Sequence, residues 1–139
     1  MKKVSVKSYN PTKPGGALDV FILSKGNNAG KPLWQPCPNC FVFTAKNQSE
    51  QEEIYWLLYG LWQGRCFSPF ITGSVIPFIR KADLCKVINI ALEKLEGNRS
   101  QFDKALSTLQ LLEKHSENIK QQIKLIKQAK KALMYKVLR

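Results

Sequence analysis

Residues 102–138 read FDKALSTLQLLEKHSENIKQQIKLIKQAKKALMYKVL, and this stretch decides the architecture. Phe102, Ala105, Leu109, Leu112, Ser116, Ile119, Ile123, Ile126, Lys130, Leu133 and Val137 recur at alternating a and d positions of a heptad repeat. Only Ser116 and Lys130 among them are polar. Residues spaced by 3.5 on average line one seam of an α-helix, and a seam sustained this long needs a partner surface. A helix over residues 100–138 would be roughly 58 Å long at 1.5 Å per residue, too long to fold back on itself. The pattern predicts a homodimer or a partner's helix docked along residues 100–138. Leu109, Leu112, Ile119, Ile123, Ile126 and Leu133 are its oligomerisation residues. Lys130 at a core position predicts a seam that frays near its end.

Working back toward the N-terminus, the remaining chain of about 100 residues has room for one small core and not for two. Residues 19–23, Asp-Val-Phe-Ile-Leu, form a short apolar run bounded by turn signals, which reads as a buried strand; residues 41–45 read as a second. Ser49-Glu50-Gln51-Glu52 has the form of a capping box and opens a helix over residues 50–63. That helix is apolar nearly all round, which predicts burial, and Gly64 serves as its stop. Residues 67–80 contain Pro69, Gly73 and Pro77 and read as a loop with one or two short strands. From Lys81 a 3.6-residue period returns, with Leu84, Val87, Ile88, Ala91, Leu92 and Leu95 on one stripe. Gly97-Asn98 interrupts it, and Ser100 is placed to cap the final helix. The expected fold is α+β, a small mixed head with short strands around a buried helix, followed by a long coiled-coil-type helix. Residues 1–18 are a basic arm or an edge strand, 19–97 the head and 98–139 the long helix.

The formal net charge is +12, unevenly placed. Residues 1–35 carry six lysines and one aspartate, and residues 100–139 carry nine basic and three acidic side chains. Residues 36–99 are nearly balanced, seven against six. Basic ends attract polyanions, and neutralisation of phosphate by Lys and Arg is the usual source of affinity for nucleic acid. The loop Ser24-Lys25-Gly26-Asn27-Asn28-Ala29-Gly30-Lys31 combines flexible backbone, amides that pair with base edges and lysines that meet phosphate or guanine. It also resembles an ordinary Gly/Asn-rich surface turn. A nucleotide-hydrolysing P-loop is excluded, because only three residues separate the glycines and Pro32 stands where Ser or Thr would hold magnesium.

No constellation of catalytic residues emerges. The acidic residues fall on helix surfaces, and the lone His115 lies off the seam. Cys37-Pro38-Asn39-Cys40 has the spacing of half a zinc site. Completing it would require Cys66 and Cys85, which read more simply as small buried apolar residues, so no metal or cofactor is expected. The longest apolar stretch, residues 54–62, is far too short to span a membrane. The start, Met1-Lys2-Lys3-Val4-Ser5-Val6-Lys7, is positive with no apolar run behind it. Together these predict a cytoplasmic, non-enzymatic protein.

The stretch Gly73-Ser74-Val75-Ile76-Pro77-Phe78-Ile79-Arg80-Lys81-Ala82-Asp83-Leu84 resembles the end of a target recognition domain from the DNA specificity subunits of type I restriction-modification systems. The order of parts is similar as well: a strand and Gly-bearing loop, a second strand, a Tyr/Leu-rich helix, the Gly-Ser motif and a long closing helix. The resemblance implies an α+β head that reads DNA, with Lys25, Asn27, Asn28 and Lys31 on a DNA-facing loop and Ser74 and Arg80 near it. It also implies a helix that spaces two heads or docks on a methyltransferase subunit. This chain has one head and one arm where a full specificity subunit has two of each, so it would be half-subunit-like and would dimerise to compensate. The PCPNCFVF and GSVIPFI blocks are also similar to short proteins of bacterial mobile elements, a likeness that implies no function. A protein-interaction adaptor, with lysines serving only solubility, is the alternative.

Overall fold

The computed structural model describes residues 3–13 and 15–139. Met1, Lys2 and Pro14, which fall in the expected basic arm and its Pro-Gly-Gly turn, lie outside the described residues. The fold is α+β, a small antiparallel sheet with three helices of which the last is long. The chain divides at Arg99 into two units.

In the first unit, four antiparallel strands lie in the order β1-β4-β2-β3. They are β1 (Lys7–Ser8), β2 (Asp19–Leu23), β3 (Pro32–Leu33) and β4 (Cys40–Thr44). The central pair sets the register, from Asp19 opposite Thr44 to Leu23 opposite Cys40. Val20, Phe21 and Ile22 are all buried, as the continuous apolar run requires of a strand covered on both faces. Residues 4–8 are held in place. Val4 and Val6 are buried, β1 pairs with β4, and the Val4 N–H donates to Asn89 Oδ1 at 2.8 Å.

Helix α1 (Gln48–Gln63) begins two residues earlier than the capping-box reading places it. Its N-cap is Asn47, whose Oδ1 accepts from the Glu50 N–H at 2.9 Å, while Glu50 Oε1 accepts from the Lys46 N–H. Asn47 thus caps the helix in place of Ser49, and Glu50 reaches back one residue beyond the cap instead of closing a reciprocal box. Nor is α1 buried on all sides. Ile54, Leu57, Leu58 and Tyr59 are buried, whereas Tyr55, Trp56, Leu61 and Trp62 are half-exposed. One side faces β2 and β3, and the sheet is too small to cover the other.

The end of α1 also differs from expectation. Gly64 has an ordinary φ of −77°, and the left-handed residue is Arg65, with φ 57°. The Cys66 N–H donates to the Leu61 carbonyl and the Arg65 N–H to the Trp62 carbonyl, a Schellman closure with arginine where glycine is usual. Past it, residues 67–80 hold a single 3₁₀ turn (Ser68–Phe70) and isolated bridges rather than strands. Cys66 is exposed and Cys85 half-buried, so neither is the fully buried apolar residue expected.

Helix α2 (Lys81–Gly97) buries Leu84, Val87, Ile88, Leu92 and Leu95, the stripe read from the sequence except Ala91, which is half-buried. Asn98 alone separates it from α3 (Arg99–Leu138). Ser100 therefore lies inside the last helix and does not cap it.

The second unit, residues 100–139, holds all but the first residue of α3, a helix of 40 residues about 60 Å long. None of its residues is buried. Leu112, Ile119, Ile123, Ile126 and Leu133 of the heptad seam are among the exposed large apolar side chains, and Leu109 is half-exposed. All three carboxylates of residues 100–139 lie at or before Glu117, and the rest of the helix is purely cationic. Among the described residues, no helix is long and apolar enough to cross a membrane.

Candidate functional site

The loop between β2 and β3 is drawn tight by its own backbone. The Gly30 N–H donates to the Leu23 carbonyl at 2.7 Å and the Leu23 N–H to the Lys31 carbonyl at 2.9 Å. Gly26 (φ 90°) and Gly30 (φ 98°) supply the two left-handed corners that an L side chain resists. Asn27 and Asn28 are left exposed at the tip, and neither side chain makes a hydrogen bond among the described residues.

A second loop closes against the first. Thr72 and Phe78 exchange both backbone hydrogen bonds, at 2.8 and 2.9 Å, and Gly73 (φ 108°) turns the chain between them. A Cβ on Gly73 would lie 2.5 Å from the Ile76 carbonyl oxygen, so the turn admits only glycine. The two loops are then zipped together. The Gly26 N–H donates to the Pro77 carbonyl at 2.7 Å, the Ile79 N–H donates to the Ser24 carbonyl at 3.0 Å, and Lys25 bridges Phe78. This places Lys25 beside the strand-like segment that ends at Arg80, the residue preceding α2. Lys25, Ser74 and Arg80 are exposed. Between them the turn thrusts out Val75 and Ile76, 89% and 59% exposed. Neither loop, residues 24–31 or 72–81, contains a carboxylate.

Lys31 sits apart from this edge. It is half-buried, with Nζ 4.8 Å from the centroid of the Trp62 ring, a cation–π contact that draws it toward the indole face. On the same flank a cleft of about 560 Å³ opens between the Asn27-Asn28 tip, the end of α1 and the turn after it. Trp62, Gln63, Arg65 and Ser68 share its wall with the two asparagines. Reading the sequence missed these four. They meet the loop where Phe67 packs on Gly30, a contact between residues 37 apart that leaves no local trace beyond the glycine itself.

The cysteines of the CPNC turn are both free. Cys40 donates from Sγ to the Cys37 carbonyl at 3.1 Å, and burial pushes its thiol up to about 11. Among the described residues no three His, Cys, Asp or Glu side chains gather as metal ligands would.

A model described as a family of unknown function, DUF6943, matches residues 6–136. The chain belongs to DUF6943. The match runs from before β1 to within three residues of the C-terminal Arg139, so the DUF6943 pattern includes both the zipped loops and the α3 seam. Neither the curated proteins nor the solved structures yield a match to this DUF6943 chain.

Proposed function

We propose that this DUF6943 chain is a non-enzymatic, cytoplasmic DNA-recognition module that meets DNA through its two zipped loops and assembles through α3. One observation carries the reading. Two backbone hydrogen bonds, from the Gly26 N–H to the Pro77 carbonyl and from the Ile79 N–H to the Ser24 carbonyl, join the Lys25–Asn28 segment to the Ser74–Arg80 segment. Two stretches far apart in sequence thereby form one surface with cations, unspent amides and no carboxylate. Lys25 and Arg80 supply phosphate contacts and Asn27 and Asn28 supply pairing to base edges. Val75 and Ile76 are apolar side chains of the kind that wedge between base steps. The likeness of residues 73–84 to a specificity-subunit recognition domain supports the same reading, and with it a methyltransferase subunit as a partner.

The test is the binding of a labelled duplex by fluorescence anisotropy at several salt concentrations. Log affinity should fall linearly with log salt, with a slope of about −0.9 per phosphate neutralised. An absence of binding at low salt ends the proposal.

The exposed seam of α3 favours a second reading, a protein-interaction adaptor in which the loops have no nucleic-acid role. Light scattering with and without duplex separates the two. Association of the chain that is indifferent to duplex, with no duplex bound, favours the adaptor.

A further inference from the structure

We propose that the cleft beside the Asn27-Asn28 tip takes an unpaired nucleotide of a nucleic-acid strand. The inference rests on the DNA-binding reading above and deepens it, since double-stranded DNA offers no free base to enter a cleft. Its volume of about 560 Å³ lies in the range of sites that enclose a small organic ligand. The wall chemistry is specific. The amides of Asn27, Asn28 and Gln63 offer donors and acceptors side by side, as the edge of a base requires, and Trp62 contributes an aromatic surface. Among the described residues of the lining Arg65 is the only charged one, and a guanidinium without a competing carboxylate is a phosphate ligand. It is held there by the left-handed closure of α1, a position that glycine fills without strain.

A second observation favours a strand over a free mononucleotide. Aromatic rings run in an unbroken chain away from the cleft along α1. Trp62 meets Tyr59 at 5.7 Å between centroids, Tyr59 meets Trp56 at 5.3 Å, and Trp56 meets Tyr55 at 5.3 Å. Tyr59 is buried and only links the row, whereas Trp62, Trp56 and Tyr55 are half-exposed. Tyr55 in turn stacks on Trp34 at 4.0 Å and 14°, and Trp34 is 45% exposed. Bases stack on aromatic side chains without regard to sequence, and such rows are how single strands are held. This also accounts for the aromatics that the sheet leaves uncovered on α1.

The experiment titrates the full chain into a labelled 12-mer single strand and into the duplex of the same sequence, with AMP as competitor. Variants are Arg65→Asn, which tolerates the left-handed backbone, and Gln63→Ala at the exposed end of α1, outside both zipped loops; the latter carries the test if the former fails to fold. The single strand should bind more tightly than the duplex, and Arg65→Asn should weaken it about tenfold while leaving duplex affinity unchanged. Arg65→Lys should recover part of the loss. Variants that leave strand affinity intact, or weaken strand and duplex equally, overturn the inference while the DNA reading stands. AMP competing as well as the strand also overturns it. Failure of both polymers to bind removes the DNA reading as well.

Discussion

Phe67 packs against Gly30, in the space a side chain at that position would fill. A Cβ built on Gly30 would stand 2.7 Å from the Phe67 Cγ and 2.8 Å from its Cε2, and Phe67 itself is 1% exposed. The ring is among the most deeply buried side chains and has no room to retreat. Gly30 also has φ 98°, a conformation that L residues rarely adopt. Gly30→Ala therefore combines backbone strain with overpacking, and should destabilise the first unit by about 2–4 kcal/mol. Urea denaturation followed by tryptophan fluorescence measures it. A loss under roughly 0.5 kcal/mol would mean that Phe67 moves aside freely.

Asn89 holds the start of the chain against α2. Its Oδ1 accepts from the Val4 N–H at 2.8 Å and its Nδ2 donates to the Val4 carbonyl at 3.3 Å, both partly buried. An amide carries its donor and acceptor on separate atoms and so can meet both groups of a single residue. Asn89→Ala leaves a backbone donor and acceptor short of partners and should destabilise by about 1–3 kcal/mol. Hydrogen exchange at the Val4 amide should accelerate more than exchange in α2. Equal exchange at Val4 in both proteins would deny the clamp.

How far the sequence reveals this fold depends on how local each determinant is. Strand β2 appears with the boundaries read from its apolar run, and the α2 stripe from Leu84 to Leu95, apart from the half-buried Ala91, is buried as its period requires. The length of α3 follows from its heptads within one residue at the start. Errors arise where two local signals compete or where the determinant is distant. Asn47 and Ser49 are both good caps, and the geometry that selects Asn47 is fixed by Lys46 and Glu50. The two-residue strand β1 is held by β4 and by Asn89, 85 positions from Val4, so its own composition says little. Of the expected site residues, Lys25, Asn27 and Asn28 are joined to the Arg80 segment by backbone alone, whereas Lys31 turns to Trp62. Arg65 enters the cleft wall beside the Gly30–Phe67 contact, which no periodicity encodes.

The cysteines differ in reactivity for the same structural reasons. Cys66 is exposed, Cys37 is half-buried, and Cys40 is buried with its thiol raised to about 11 from an ordinary value of 9.0. The thiolate is the nucleophile, so iodoacetamide at pH 8 should alkylate Cys66 first and Cys40 only after unfolding, by mass spectrometry. Stability follows the same shift. Between pH 9 and about 11 the unfolded chain releases the Cys40 proton while the folded chain keeps it, so stability should fall as pH rises through that window. Cys40→Ser should flatten this dependence. Prompt labelling of Cys40 in the folded protein would contradict the buried, hydrogen-bonded thiol.

Ile123 lies mid-seam on α3, 48% exposed in the single chain, with Ile119 and Ile126 flanking it on the same edge. If that edge is the assembly surface, the chain associates in solution and a charge at Ile123 disrupts it, since an unpaired lysine inside a dry helical interface is costly. Ile123→Lys should therefore lower the mass seen by light scattering toward that of one chain. The urea midpoint of the first unit should stay unchanged, because residue 123 lies outside it. Gln121→Lys adds the same charge two residues away, off the a and d positions, and should leave the mass as it was. A mass that falls equally in both variants would point to electrostatic repulsion along a helix already cationic after Glu117. A mass that falls in neither would rule out this heptad register as the seam.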